Sequence, residues 1–313
     1  QSGAVRLLES IRNVARHGFY QVAVRLPEDL TPGTYELFVH NATGGNGNWS
    51  RPLALEILPP REKTTERIVA AADHGAEGDG RTDDTAALRV ALAEAARLGG
   101  ATVLLDIGTY RLSGTLVLPE GVSLRGRGRE LTRLAPLSGG WKDPFPVEAE
   151  FRGYARDWLP FLERPGHAPL LWMRNRSAVT DLSLSSGPGV GTGILVARAP
   201  GVAENLRIEN LRIEQTGVSE HGVVFAGIKV MGDTSGFMVR DNEFEGVAIT
   251  MLANRHEQFY FGYNRVRSFR HGFPLQAANL VFLRGTIRSI VEENFIENGD
   301  RNIVMQSGRL WGK

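Results

Sequence analysis

The stretch Asp73-His-Gly-Ala-Glu-Gly-Asp-Gly80 continues directly as Arg81-Thr-Asp-Asp-Thr85 and then as an alanine-rich segment that ends at Gly99-Gly100. Asp and Thr ahead of an apolar run are typical of helix starts, because their side chains accept hydrogen bonds from the first-turn N–H groups. The glycine pair stops the helix. The sequence therefore predicts an amphipathic helix over 82–98, with Thr82 or Asp83 as its N-cap. Its apolar stripe recurs at helical spacing and consists of Leu88, Ala91, Leu92, Ala95 and Leu98.

Short β-forming runs follow this helix and alternate with glycine turns. Coils built from such runs leave an open end with unpaired strand edges, and an amphipathic helix is a suitable plug for that end. We interpret Asp79, Asp83 and Asp84 as turn and cap groups rather than as catalytic residues. The strand-like runs are Thr102–Asp106, Gly108–Tyr110, Leu116–Pro119 and Gly121–Gly126.

The order of these features over residues 73–128 resembles the head of the pectate-lyase-like superfamily of right-handed parallel β-helices. The resemblance implies an all-β, right-handed parallel β-helix with an N-terminal helical plug. Because members of the superfamily nearly all handle polysaccharides, it also implies a carbohydrate-related role and a secreted or cell-surface location in a bacterium. Analogy with pectate lyases allows calcium as a cofactor, although no acidic cluster in this chain demands it.

Composition excludes several classes of protein. The chain has 313 residues with a formal net charge of +1, and no Lys/Arg stripe dominates any segment, which argues against a nucleic-acid partner. No stretch approaches 18 uninterrupted apolar residues, so the sequence predicts no membrane span. The absence of cysteine excludes disulfides and thiolate metal sites, and no His-rich or Asp-rich spacing specifies a metal. We predict no cofactor.

Two domains are predicted, over 1–60 and 61–313, with Pro59-Pro60 at the boundary. The first is about half of an immunoglobulin-like β-sandwich, with Trp49 as a residue that seals its edge. The second is the β-helix. The partial sandwich, and the end of the chain without a visible cap, lead us to expect a larger parent protein. The predicted strands of the first domain are Val5–Ile11, Phe19–Leu26, Thr34–Asn41 and Leu53–Leu58.

An imperfect repeat runs through the β-helix. Four strands end in Asn at spacings of 32, 22 and 30 residues, which predicts coils of unequal length in one solenoid. Stacked Asn side chains at one turn tolerate left-handed backbone and bond to each other as a ladder. The intervening runs Gly227–Val230, Ala248–Met251 and Asn302–Met305 are predicted to form a partner sheet. The ladder residues are Asn210, Asn242, Asn264 and Asn294.

Aromatic residues are the predicted substrate-binding groups, because their faces stack on the C–H faces of sugar rings. The long insert 137–168 combines aromatic with charged residues, as binding loops do. The alternative is that its aromatics only fold the insert onto the coil. His256 beside Glu257 is a candidate acid/base or binding element, with a local hydrogen bond in a turn as the alternative. The aromatic candidates are Trp141, Phe145, Tyr154, Trp158, Tyr260 and Tyr263.

Carboxylates beside the ladder are the candidates for catalysis. Glu209, Asp241, Tyr263 and Glu293 each precede a ladder Asn and are predicted to stack, one per coil. At about 4.8 Å per rung, Asp241 and Glu293 would lie roughly 9–10 Å apart, near the upper limit for an inverting glycosidase pair. Solvated carboxylates on a β-helix surface are the structural alternative.

Missing motifs shape the functional interpretation. Relatives of the polygalacturonase type carry an Asn-Thr-Asp run, an Asp-Asp pair and a Gly-His-Gly run in that order, and this chain does not. We therefore interpret it as a non-catalytic carbohydrate-binding module for a plant cell-wall polysaccharide, xylan-like or pectin-like. Such a module would be covalently linked to a catalytic domain in a glycan-degrading protein. The alternative is a glycoside hydrolase or polysaccharide lyase of the parallel β-helix type.

Overall fold

The protein is represented by a computed structural model that describes residues 26–27, 29–40, 49–57, 66–137, 141, 168–187, 190–215, 226–251, 255–267, 279–284, 286–297 and 301–306. The chain divides into two compact units, Gln1–Thr65 and Glu66–Lys313.

The described part of the first unit is an antiparallel hairpin. Strands β1 (Gly33–Leu37) and β2 (Leu53–Ile57) pair along their whole length, and a bridge between His40 and Trp49 extends them. The two aromatic rings lie 4.8 Å apart, but Trp49 remains 50% exposed, so it does not seal an edge as predicted. The predicted strands 5–11 and 19–25 lie outside the described residues, and the partial sandwich stays a prediction.

The second unit is a solenoid of three parallel sheets, named A, B and C in the order in which the chain enters them. Sheet A consists of β3 (Ile68–Ala70), β5 (Thr102–Leu104), β8 (Ser123–Arg125), β11 (Ala178–Thr180), β14 (Arg207–Glu209), β17 (Met238–Arg240), β21 (Tyr260–Gly262) and β25 (Ile290–Glu292). Sheet B consists of β4 (Asp79–Asp83), β6 (Gly108–Leu112), β9 (Thr132–Pro136), β12 (Ser183–Ser185), β15 (Arg212–Glu214), β18 (Glu243–Glu245), β22 (Arg265–Arg267) and β26 (Phe295–Glu297).

Sheet C closes each coil. It consists of β7 (Leu116–Leu118), β10 (Ala168–Met173), β13 (Val190–Glu204), β16 (Ala226–Ser235), β19 (Ala248–Met251), β23 (Asn279–Arg284) and β27 (Arg301–Gln306). Two short strands, β20 (His256–Glu257) and β24 (Thr286–Ile287), pair in line with the end of β16. Each strand pairs in parallel with its equivalent in the next coil, and parallel crossovers are right-handed. The predicted right-handed parallel β-helix is confirmed, as is the predicted partner sheet, since β16, β19 and β27 all belong to sheet C.

The predicted helix closes the first coils. Helix α1 (Thr85–Arg97) packs on a 3-10 helix (Ala71–His74) and on β3, β5 and β7. It is shorter than the predicted 82–98, because residues 79–83 pair with β6 as strand β4. Its N-cap is Asp84 rather than Thr82 or Asp83. The buried side chains of its apolar stripe are Leu88, Ala91, Leu92 and Ala95.

The acidic residues before the helix accept hydrogen bonds from backbone N–H groups, as predicted for turn and cap residues. Asp79 accepts hydrogen bonds from the N–H groups of Arg81 and Thr82, each at 2.8 Å. Asp83 accepts one from the N–H of Thr85 at 3.2 Å. The buried carboxylate of Asp84 accepts the N–H groups of Glu77 at 2.7 Å and Arg111 at 3.3 Å. Burial raises the pKa of Asp84, while these backbone hydrogen bonds oppose the rise.

A two-residue turn between sheets A and B carries the ladder. Its outer residue has left-handed backbone in successive coils at Asp181, Asn210, Asp241, Tyr263 and Glu293. Its inner residue is Leu182, Leu211, Asn242, Asn264 or Asn294. Asn242 Nδ2 donates to Asn264 Oδ1 at 2.9 Å, and Asn264 Nδ2 donates to Asn294 Oδ1 at 3.0 Å.

Asn210 is a correction to the predicted ladder. It occupies the outer, left-handed position and donates to Asp181 at 2.6 Å, because the apolar side chain of Leu211 fills the inner position of that coil. The ladder among the described residues therefore begins at Asn242. Its asparagines do not have the left-handed backbone that was predicted for them, since the preceding residue takes it.

Connections differ in length according to the sheets that they join. From β11 onward every turn from sheet A to sheet B spans two residues, whereas the connections from sheet B to sheet C include residues 137–167, 215–225 and 268–278. Insertions in solenoids gather on one face, often the binding face. Among the described residues, no helix is long and apolar enough to cross a membrane.

Candidate functional site

Outer positions of sheet A stack in columns, because strand side chains alternate between core and surface. The register aligns one column as Arg207, Met238, Tyr260 and Ile290, and the next as Glu209, Arg240, Gly262 and Glu292. The left-handed turn adds a third column of Asn210, Asp241, Tyr263 and Glu293. Asp241 and Glu293 thus share a column on either side of Tyr263, as predicted. Glu209 does not, since it aligns with Arg240, one position earlier.

Arginines neutralise two of the three predicted catalytic carboxylates. Asp241 Oδ2 lies 2.7 Å from Arg240 Nε, and Glu209 Oε1 lies 3.8 Å from the same atom. Glu209 Oε2 also lies 3.6 Å from Arg207. These contacts are those of a solvated ion-pair surface, which is the structural alternative to catalysis.

Tyr260 is the most constrained of the predicted aromatic residues. Its hydroxyl donates to Glu292 Oε1 on the next coil at 3.0 Å. Burial, followed by the hydrogen bond and charge of Glu292, raises the pKa of Tyr260 to about 12, so the phenol is protonated. Tyr263, in the turn beside it, is exposed.

His256 lies inside the coil and does not reach the outer surface. It is 0% exposed, and its Nδ1 lies 2.8 Å from Thr234 Oγ1. Its Nε2 has no hydrogen-bond partner in the part of the chain that the structure describes. Burial lowers the pKa of His256 to about 4, so the ring is neutral. The predicted contact of this residue with a sugar is therefore corrected, because its strand turns the ring toward the core.

The neighbouring Glu257 is at the surface and is ion-paired. Its carboxylate lies 2.9 Å from Arg255 and 3.6 Å from Arg288. The structure therefore separates this carboxylate from the buried imidazole that was predicted to work with it.

Of the aromatic residues predicted to bind substrate in the insert, only Trp141 belongs to the described residues. It is partly buried against the hydrophobic core, and its Nε1 is buried without a hydrogen-bond partner among the described residues. This position matches the alternative in which an aromatic residue folds the insert onto the coil. Phe145, Tyr154 and Trp158 lie outside the described residues and stay predictions.

The outer face of sheet C contains residues that the sequence reasoning missed. Trp172, Leu195 and Lys229 align in register on β10, β13 and β16. Trp172 and Leu195 are buried although they lie outside the interior core, so the outer face is covered at these two residues, whereas Lys229 in the next coil is only partly buried. Trp172 Nε1 donates to Ala197 O at 3.1 Å, and Arg174 stacks 3.8 Å above the Trp172 ring.

Lys229 is the ionisable residue of this row. Its side chain is partly buried, and burial lowers its pKa. No hydrogen bond or ion pair of Lys229 is present among the described residues. A sequence signal did exist, because Lys229 interrupts the apolar run Ile228–Val230 and is one of only four lysines in the chain.

Metal ligands do not cluster in the described part of the chain. No group of three or more His, Asp or Glu side chains there is arranged to hold a metal ion. The calcium that the resemblance allows stays a prediction.

Known proteins resemble this chain mainly in its first coils. A family model described as rhamnogalacturonase A/epimerase, pectate lyase-like, matches residues 68–140. Alginate lyase 7 of Azotobacter vinelandii is 40% identical over 78 residues, which are 23% of this chain and 9% of that protein. Mannuronan C5-epimerase AlgE4 of the same organism is 40% identical over 74 residues, which are 21% of this chain and 13% of the epimerase. The matched stretch is therefore a small part of either relative.

Solved structures add a wider but looser likeness. The A-module of the Azotobacter vinelandii mannuronan C-5 epimerase AlgE6 gives a TM-score of 0.46 at 21% identity, over 75% of this chain and 62% of the module. A GH87 alpha-1,3-glucanase from Streptomyces thermodiastaticus gives 0.46 at 20% identity, over 72% of this chain and 40% of the glucanase. The family match covers α1 and the first coils, and these coils are similar to the start of pectate-lyase-like parallel β-helices.

Proposed function

We propose that the chain is a non-catalytic carbohydrate-binding module that recognises an acidic, pectin-like polysaccharide on the outer face of sheet C. The proposal rests on Lys229, a partly buried lysine that has no ionic partner among the described residues. A cation in apolar surroundings is unfavourable unless an opposite charge accompanies it. A uronate carboxylate on the ligand would supply that charge.

The surroundings of Lys229 support the same role. Trp172 and Leu195 line its row with apolar surface, which strengthens an ion pair by excluding water. The long connections all join sheet B to sheet C, and insertions in solenoids often form binding surfaces. The names of the family model and of the alginate and mannuronan relatives also favour an acidic polysaccharide.

The proposed module would be joined to a catalytic domain in a longer, secreted bacterial protein that degrades plant cell walls. Absence of turnover is part of the proposal because Asp241 and Glu209 are ion-paired and belong to sheet A and its turn. Calcium is not required by it, since Lys229 itself supplies the positive charge.

Binding to polygalacturonate tests the proposal through two substitutions of one residue. Lys229→Gln should weaken binding about ten- to hundredfold, the usual range for a charge-assisted hydrogen bond, and Lys229→Arg should retain most of it. Arg265→Gln, which removes a positive charge from the exposed surface of sheet B, is the matched control and should bind like the parent. Equal binding by Lys229→Gln and the parent would refute the role of Lys229.

A polysaccharide lyase is the second candidate function, and one observation favours it. Burial lowers the pKa of Lys229, and a lysine with a lowered pKa is suited to remove a proton from a carbon next to a carboxylate. An arginine restores charge but cannot act as a base near neutral pH. Release of unsaturated ends by the parent, lost in both Lys229→Gln and Lys229→Arg, would replace the module by the lyase. Release of reducing ends that depends on Asp241 and Glu293 would instead indicate a hydrolase.

A further inference from the structure

Gly262 is an unusual residue for the middle of the solenoid wall. It lies in β21, is buried, and does not have the left-handed backbone that requires glycine. Glycine inside a strand is unfavourable, and it often marks a place where another group approaches closely. We therefore attribute this glycine to the close approach of another group, which needs the space of a side chain, and not to the backbone conformation.

Tyr260 occupies the space that Gly262 leaves. A Cβ atom at residue 262 would lie 2.6 Å from Tyr260 Cζ and closer still to the hydroxyl oxygen, so the Tyr260 ring would have to move away. The ring therefore leans along the strand over Gly262 instead of projecting from the sheet. Its hydroxyl reaches the next coil, where Glu292 accepts its hydrogen bond at 3.0 Å. Two residues thus hold this ring against the sheet.

Apolar side chains lie next to the Tyr260 ring in the same column, one on each neighbouring coil. Met238 and Ile290 align with Tyr260 in the same column, and Ile290 is 53% exposed. Neighbouring coils are about 4.8 Å apart, which is comparable to the length of one pyranose residue. The column is therefore an apolar stripe, three coils long, on which consecutive sugar rings of one polysaccharide chain can lie.

Hydrogen-bonding groups line the stripe, and more of them are negatively charged than positively charged. Glu209 and Arg240 precede Gly262 in the adjoining column, Glu292 follows it, and Asp241 and Glu293 lie in the turn. Neither Glu292 nor Glu293 has an ionic partner among the described residues. Carboxylates in this arrangement accept hydrogen bonds from sugar hydroxyls, but they repel the carboxylates of a polyuronate.

We propose that Tyr260, held over Gly262 and flanked by Met238 and Ile290, is a second polysaccharide site, on sheet A, that binds neutral pyranose chains with flat, C–H-rich faces, such as xylan. This site is separate from Lys229 and from the acidic ligand proposed for sheet C. Gly262 and Glu292 are positioning residues, since they act through the ring of Tyr260.

Affinity for soluble neutral xylan and for polygalacturonate, measured side by side on the full chain, tests the second site. Tyr260→Ala and Gly262→Ala should each weaken xylan binding about three- to tenfold, the range for one aromatic contact, and leave polygalacturonate binding unchanged. Lys229→Gln should instead weaken polygalacturonate binding and leave xylan binding unchanged. Phe295→Ala removes an exposed aromatic residue from sheet B and should change neither affinity.

A spectroscopic readout separates positioning from general damage. In Gly262→Ala the displaced ring should lose its bond to Glu292, so the pKa of Tyr260 should fall from about 12 toward its ordinary value of 10 in an ultraviolet titration. Tyr260→Phe keeps the ring, and should retain more xylan affinity than Tyr260→Ala if Gly262→Ala fails to fold. Xylan binding that is the same in the parent, Tyr260→Ala and Tyr260→Phe would overturn the proposal, as would competition by polygalacturonate for the xylan site.

Discussion

At the scale of single residues, this β-helix places two basic groups in apolar surroundings, one on each side of its wall. His256 lies inside, 0% exposed, and Lys229 lies outside on the outer face of sheet C. Burial lowers the pKa of both. The two differ in exposure, because His256 is fully buried whereas Lys229 is only partly buried.

His256 should make the stability of the fold depend on pH. Its pKa is about 4 in the folded state and 6.5 ordinarily, so only the unfolded chain gains the proton as pH falls from 6.5 to 4. The contribution of neutral His256 to the free energy of unfolding should therefore be fully present above pH 6.5. It should decrease by up to about 3 kcal/mol as the pH falls toward 4. Urea unfolding at several pH values measures it.

The matched variant is His256→Gln, which keeps a hydrogen-bonding group for Thr234 without the titration. It should be less stable than the parent near pH 7, and the difference between the two should shrink as pH falls. Parallel pH profiles for the parent and the variant would contradict the assignment of this titration to His256.

At the scale of elements, the turn between sheets A and B is the best-defined feature of the solenoid. Asn264 donates to Asn294 and to Val239 O, and its own oxygen accepts from the backbone and side chain of Asn242. Every polar atom of this buried side chain is therefore used, and each bond links one coil to another.

Asn264→Ala should lower the free energy of unfolding by about 2–4 kcal/mol, because it leaves buried groups of Asn242 and Val239 without partners. Asn210→Ala is the control, since Asn210 occupies the outer position and donates a single side-chain bond, to Asp181. Its effect should be about 1 kcal/mol or less. Chemical denaturation measures the free energy of unfolding of both variants. Equal losses in the two would contradict the ladder as the main stabilising contribution of this turn.

The helix at the coil end gives a second prediction at this scale. Leu88 is fully buried, so Leu88→Asp should place an unpaired charge in the core and destabilise the protein by more than about 3 kcal/mol. Val90→Asp, two residues along the same helix, changes a side chain that is 56% exposed and should have little effect. Thermal unfolding of the two variants distinguishes them. An unchanged melting temperature for Leu88→Asp would remove the helix from its role as a plug.

Local patterns explain which elements the sequence could predict. The stripe of Leu88 and the glycine pair after it act within one helix, so the helix was predictable, although its start moved to Thr85 when residues 79–83 paired with β6. Asn210 was misplaced because asparagine suits both positions of the turn, the left-handed one and the inner one. Only the pairing of coils, with Leu211 stacked on Asn242, decides between them.

At the scale of the whole molecule, both proposed binding surfaces are formed by the stacking of coils, so one coil by itself cannot reveal them. Tyr260 and Glu292 meet across neighbouring coils, and their contact depends on a register between β21 and β25 that the sequence does not state. Lys229 stands out from its apolar neighbours in sequence, but the burial of its row depends on distant parts of the chain. Columns of side chains, rather than motifs, are therefore the appropriate units for comparing the surfaces of such proteins.

The asparagine ladder also determines where the chain could lose or gain a whole coil during evolution. Asn242 and Asn264 are 22 residues apart and occupy equivalent places, each preceded by a left-handed residue. An in-frame deletion of residues 242–263 would join Asp241 to Asn264, shortening the wall by one turn while leaving its cross-section and its chain of amide contacts intact. A duplication of the same segment would lengthen it equally. Recombination at such points would therefore change the length of the wall by whole coils.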